Sequence, residues 1–245
     1  LRHILIKMLQ GEFFMYKKVR LVMVIVLMIS ALLLGKTVSR YVSGNQVKNK
    51  STDEKTIVID AGHGGCDPGK VGINKCEEKD INLQIADKVK KELEKKNIKV
   101  IMTRTDDNGL YSEGAANRKA EDMKKRVEII NKSGAVLTVS IHQNSYSSES
   151  VKGAQVFYFT HSAEGKKMAE IMQENFRLSN PSNKRMAKGN NTYYMLKKTE
   201  IPTIIIECGF LSNWEEAEKL VTEEYQQEMA EIICDGIMNI LQQEM

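Results

Sequence analysis

The sequence predicts an α/β fold: an open, twisted, mostly parallel sheet with helices on both faces. Two observations carry this. Short runs rich in β-branched residues alternate with longer stretches in which apolar residues recur every three to four positions. That is the pattern of βα units joined by right-handed crossovers. Three of the runs also end close to a side chain able to ligate a metal or move a proton: Thr56-Ile-Val-Ile-Asp60 before His63, Val136-Leu-Thr-Val-Ser-Ile141 before His142, and Thr203-Ile-Ile-Ile206 before Glu207. Open α/β sheets bind ligands just beyond the carboxyl ends of their strands, which would bring these three side chains into one cleft.

The chain has 245 residues, enough for one ordinary domain and an extension. The extension lies at the start, where Lys17, Lys18 and Arg20 precede an apolar run from Leu21 to Leu34 broken by Ser30. A basic flank followed by such a run reads as an export signal or short membrane anchor over residues 1–35, with the signal pattern itself beginning at Met15. Cleavage and retention both stay open, since Thr37-Val-Ser39 and Val42-Ser-Gly44 are poor cleavage sites. Residues 36–55 are polar, without apolar period, and read as a linker to a catalytic domain at 56–245.

The formal charge of +4 comes from the leader: residues 1–35 hold five basic residues and one acidic, and the remainder carries equal numbers of each. A neutral exported domain argues against a nucleic-acid partner. Cys66, Cys76, Cys208 and Cys234 match no zinc-ribbon spacing. A domain of this size folds without staples, so four unpaired thiols are expected, with a Cys66–Cys76 pair as the alternative.

The elements follow in order. Strands are expected at 56–60, 98–103, 136–141, 154–159 and 203–207, and helices at about 79–96, 116–132, 163–178, 214–220 and 222–242. The first helix sets Ile81, Ile85, Val89 and Leu93 in one stripe, and the last does the same with Met229, Ile232, Ile233, Gly236, Ile237 and Ile240. Two long polar connections, Asp106–Ala116 and Leu178–Asn191, are candidates for substrate contact or plain solvent loops.

Four side chains carry the chemistry. His63 is flanked by glycines, which permit a sharp turn and close approach to a ligand. Glu78 stands where the first helix starts; stabilisation of that helix end is its plainer role, but the Gly-rich loop from His63 could bring it to a metal. His142 is the second histidine, preferred over His161, which reads as part of a helix start capped by Ser162 or Thr160. Glu207 closes a buried run and must be paired, for instance with a buried arginine, or employed as a base. Cys208 lacks a neighbouring histidine and is a poor nucleophile candidate. Two histidines, a carboxylate and a water form a catalytic zinc set, which lowers the pKa of water towards about 7 and polarises a carbonyl.

Asp60-Ala-Gly-His63-Gly-Gly, Glu78-Lys79-Asp80-Ile81-Asn82-Leu83, Ser140-Ile-His142-Gln-Asn144-Ser and Glu207-Cys-Gly-Phe-Leu-Ser-Asn213, in this order, resemble the zinc-dependent N-acetylmuramoyl-L-alanine amidases of bacterial cell walls. Met102-Thr-Arg104-Thr-Asp-Asp107 and Arg126-Val-Glu-Ile-Ile-Asn131 fit as well, and the likeness runs from about Thr56 to Leu241. Ala61 and Gln143 replace a frequent proline and alanine. The resemblance implies one Zn²⁺ per chain at the carboxyl ends of the strands, held by His63, Glu78 and His142, with Glu207 as the catalytic glutamate. Asn144, Arg104 or Asn191 would support the site or substrate. The implied reaction cleaves the amide between N-acetylmuramic acid and L-alanine of peptidoglycan. The short basic-flanked anchor and the absence of wall-binding repeats are similar to the single-domain members that act in spore-cortex remodelling and germination. Such a protein would be exported to the cell wall or the intermembrane space of a forming spore, held to the membrane through its N-terminal segment or released. An accessory activator protein is a further implied partner. The alternatives are a zinc peptidase or deacetylase acting on the same polymer, or an amidase active only with its partner.

Overall fold

The computed structural model describes residues 55–243, together with Met23. The expected leader and linker, apart from Met23 and Lys55, lie outside these residues. Among the described residues no helix is long and apolar enough to cross a membrane.

The β-branched runs form the sheet. Its strands are β1 (Thr56–Ala61), β2 (Lys99–Met102), β3 (Leu137–Asn144), β4 (Gln155–Phe159), β5 (Lys188–Asn190) and β6 (Thr203–Phe210), in the order β2-β1-β3-β6-β4-β5. β2, β1, β3 and β6 are parallel, β4 runs antiparallel to β6, and β5 lies parallel to β4. The helices are α1 (Glu78–Lys95), α2 (Arg118–Lys132), α3 (Ala163–Ser179), α4 (Tyr194–Lys198), α5 (Trp214–Leu220) and α6 (Glu223–Gln243).

Strand alternation sorts the core into two layers. Ile57, Ile59, Leu137, Val139, Ile204 and Ile206 point to one face, where the stripes of α1, α3 and α6 cover them. Val58 and Ile205 point to the other, against Ile130 of α2 and Met195 and Leu196 of α4. The result is the expected open, mostly parallel sheet with helices on both faces. A fully buried Ile85 or Val89 contributes roughly 1.5–3 kcal/mol of transfer free energy.

Three differences from the sequence reading matter for the site. β3 and β6 continue to Asn144 and Phe210, so His142 and Glu207 lie within strands, directly opposite one another in the β3–β6 register. β5 and α4 were not expected. Lys188-Gly-Asn190 has no apolar period, and five residues are too few to show a helical one. Their addition places Tyr193, the residue before α4, beside β6. The α2 start falls at Arg118 because the Asn117 side chain accepts from the Ala120 N–H at 3.0 Å. Ser162, not Thr160, caps α3 through the Gly165 N–H at 2.9 Å.

From β1 the chain crosses over α1 to β2 at one edge, then over α2 to β3 on the other side of β1. This reversal opens a crevice between the carboxyl ends of β1 and β3.

Candidate metal centre

β1 leads into the crevice through Gly62, whose N–H donates to the Ile141 carbonyl at 3.0 Å. A Cβ at Gly62 would overlap the His142 ring, so this position sets how closely the first loop approaches β3. His63 follows with φ 62°, an uncommon conformation for a residue with a side chain. Two buried arginines hold the backbone there. Arg104 donates to the carbonyls of Ala61 at 2.9 Å and Gly62 at 3.0 Å. Arg126 donates to the carbonyls of Ala61 and His63. Arg126 is itself paired with Asp60 at 2.9 Å and with Asp122. Burial works against charge on Asp60, but Arg126 and the hydroxyls of Ser140 and Thr103 hold its pKa below the usual carboxylate value.

Glu78, the first residue of α1, reaches over the crevice and is almost fully buried. Its Oε2 accepts from the Lys70 N–H at 2.8 Å, and its Oε1 from the Gln143 N–H at 3.1 Å. Oε1 also lies 2.9 Å from His142 Nδ1 and 3.2 Å from His63 Nε2. Burial opposes its charge, yet the hydrogen bonds and charges of the two histidines hold its pKa far below the ordinary carboxylate range. Burial likewise disfavours charge on His142, but Glu78, with Glu207 and Asp60 behind it, raises its pKa. The two rings meet edge to face, with centroids 4.9 Å apart.

These donors suit a small divalent cation. One ligating atom from each of His63, Glu78 and His142 lies within 4.8 Å of the others. The tetrahedron around a zinc ion about 2 Å from each ligand has edges of roughly 3.3 Å, close to the two Glu78–histidine distances. A second observation points the same way. Glu207 Oε2 is buried and has no hydrogen-bond partner, an arrangement that costs free energy unless something fills the space beside it. Burial pushes the Glu207 carboxyl up to about 7, with the charge on Glu78 adding to the shift and the two histidines opposing it. Its Oε1 is 3.5 Å from the Tyr193 hydroxyl, which burial and Glu207 push up to about 12. All four side chains face a cleft of about 470 Å³.

Residues 57–239 match the N-acetylmuramoyl-L-alanine amidase family. The chain belongs to this family.

The germination-specific N-acetylmuramoyl-L-alanine amidase of Bacillus subtilis (strain 168) is 41% identical to this amidase over 187 residues, covering 75% of this chain and 78% of that protein. The CwlD amidase from Clostridioides difficile, solved in complex with the GerS lipoprotein, has 40% identity and a TM-score of 0.74, covering 77% of this chain and 98% of that one. The catalytic domain of CwlV, an amidase from Bacillus (Paenibacillus) polymyxa var. colistinus, has 34% identity and a TM-score of 0.67 over 77% of this chain and 98% of that one. The chain is thus a peptidoglycan amidase, a hydrolase of the bond between N-acetylmuramic acid and L-alanine.

The amidase brings His63, Glu78, His142 and Glu207 together. Of the three supporting residues, Asn144 lines the cleft. Arg104 is buried behind the loop and holds its backbone. Asn191 is exposed and does not line the cleft. His161 lies elsewhere, its ring against Phe159. Among the described residues no arginine pairs with Glu207; the buried Arg126 serves Asp60 and Asp122. Cys208 is fully buried and pushed up to about 12, which makes it inert as a nucleophile. All four cysteines are unpaired. The Asp106–Ala116 loop packs on the metal loop, Tyr111 accepting from the Cys66 N–H at 2.9 Å. The Leu178–Asn191 connection instead lines a separate cavity with Lys152 and Glu216.

Sequence reasoning did not single out Asp67, Lys119 or Tyr193. Tyr193 carried no signal, because its loop is joined to the site by tertiary packing against Phe157. Asn82 stands one turn after Glu78 in the Glu78–Leu83 segment and donates to both Gly62 O and Glu78 Oε1, a link that four-residue spacing on a helix could have revealed.

Proposed function

We propose that the amidase is a zinc enzyme with one ion per chain, held by His63, Glu78 and His142, and that Glu207 is its general base. The observation that carries this reading is the convergence of two imidazoles on one buried carboxylate, with an unpartnered Glu207 oxygen beside them. Zinc bound there supplies Lewis acidity towards a water and the lactyl carbonyl. Glu207 takes the proton of the attacking water and delivers it to the departing L-alanine nitrogen. Its burial suits that role, because a carboxylate poised near neutrality both accepts and returns a proton. Tyr193 lies against Glu207 Oε1 and orients the carboxylate. Asn144 stands on the cleft wall beside the substrate path.

The chain acts on peptidoglycan outside the cytoplasm, after export on its N-terminal segment, in spore-cortex remodelling. The support is the likeness to the germination-specific relative and to the C. difficile amidase. That second structure contains a lipoprotein, which supports an accessory partner for this chain also.

The test is zinc content of the purified protein, with analysis of digested peptidoglycan. One zinc per chain and new amino termini at L-alanine are expected. His63→Ala loses metal and activity together, whereas Glu207→Ala keeps zinc and loses turnover by about 10²–10⁴-fold. Full activity in Glu207→Ala with zinc retained would overturn the assignment. Free acetate among the products would point instead to a deacetylase.

A further inference from the structure

We propose that Asp67 is a positioning residue for the metal: it fixes the tautomer and plane of His63, so that Nε2 presents its lone pair to the ion. The inference rests on the zinc reading above. After His63 the chain reverses through Gly64 and Gly65, both at positive φ. It returns in a narrow turn closed by two backbone bonds, Gly64 N–H to Asp67 O at 3.0 Å and Asp67 N–H to Gly64 O at 3.1 Å. This turn brings the Asp67 carboxylate back onto the ring it follows, with Oδ2 2.9 Å from His63 Nδ1. An ionised carboxylate only accepts, so this nitrogen carries the proton and donates it. Nε2 faces Glu78 Oε1 at 3.2 Å, and with Nδ1–H held by Asp67 it is the nitrogen left to give up its proton and turn its lone pair to an ion between them.

The rest of the Asp67 environment supports that orientation. Oδ1 lies 3.4 Å from the Gly69 N–H. Lys119, near the start of α2, approaches Oδ2 at 3.0 Å from the rim of the cleft. The lysine side chain is well exposed, so its ion pair contributes little and the histidine contact is the principal one. His142 differs, since its Nδ1 is engaged by Glu78 itself. One of the two imidazoles is therefore oriented from outside the ligand set, and its own backbone is the one held in an uncommon conformation.

Zinc dissociation constants, measured by chelator competition on the full chain, test the proposal alongside melting temperatures of the metal-free proteins. Asp67→Asn is expected to weaken zinc by about ten- to a hundredfold, as loss of a partner behind a ligating histidine does elsewhere. The metal-free melting temperature should be unchanged. Lys119→Met, which removes only the outer ion pair, should stay within about fivefold of wild type. Zinc affinity equal to wild type in Asp67→Asn would overturn the proposal, as would a loss that merely tracks a fall in melting temperature. Long-range ¹H–¹⁵N spectra of the zinc-loaded wild type provide a readout that needs no variant to fold. The His63 proton is expected on Nδ1, and a proton on Nε2 with Nδ1 facing the ion would overturn the idea. A wild type that binds no zinc would instead sink the metal reading, and this inference with it.

Discussion

Glu207 is a costly residue for the metal-free protein. Its pKa in the fold, raised by burial to about 7, exceeds its value in the unfolded chain. Between roughly pH 4.5 and 7 the folded form therefore holds a proton that the unfolded form has released, and stability falls as pH rises across that window. At pH 8 Glu207→Gln should be more stable than wild type without metal by up to a few kcal/mol, and so melt higher, while turnover collapses. Equal melting temperatures at pH 8 would show that the carboxylate is better solvated than its surroundings imply. A cation beside Glu207 favours its charged form, so in the zinc-loaded enzyme the acid limb of kcat/KM should lie at or below about pH 7. A limb well above 7 would remove Glu207 from the role of base.

At the scale of elements, the end of β1 is a tightly constrained piece of chain. Gly62 lies against the His142 ring with no room for a methyl group. Gly62→Ala should cost about 1–3 kcal/mol through overpacking and should lower zinc content by displacing His142, with the secondary structure intact by circular dichroism. Normal zinc content in that variant would mean the ring has freedom that its packing denies. The same end shows what a sequence can and cannot tell. The convergence of His63, His142 and Glu207 was legible because β-branched runs mark strands whose ends meet at one crevice, and that of Glu78 because a Gly-rich loop can deliver it to the same place. The extension of β3 and β6 was not legible. Polar Gln143 and Asn144, and Gly209 after Glu207-Cys208, interrupt the apolar strand pattern, and cross-strand pairing overrides that locally. Asn191 was expected to support the site, whereas the chain turns at Asn190, whose side chain accepts from Thr192 and Tyr193 N–H groups and sends Tyr193 towards the cleft instead.

For the whole molecule, acid and metal act on the same set of groups. Asp60 and Glu78 are held below their ordinary pKa values, so their contributions to stability are complete above about pH 4.5 and are lost as pH falls through their folded values. Acid melting of the metal-free protein should steepen below about pH 4, and an Asp60→Asn variant should show a shallower dependence there. On the proposed centre zinc would bind the folded chain alone, so a hundredfold excess over its dissociation constant should add about 2.7 kcal/mol, a rise of roughly 5–10 °C in melting temperature reversed by chelator. A melting temperature indifferent to zinc and chelator would contradict the proposed centre.

The place of β3 between β1 and β6 sets an order of events as the protein folds. His63 and Glu78 lie near one another along the chain and can meet once β1 and α1 pack. His142 and Glu207 become neighbours only after β6, in the last quarter of the sequence, docks beside β3. Pairings so distant in sequence are the slow ones. A partly folded chain holds at most a fragment of the site, so the capacity to cut a cell wall arises at the end of folding.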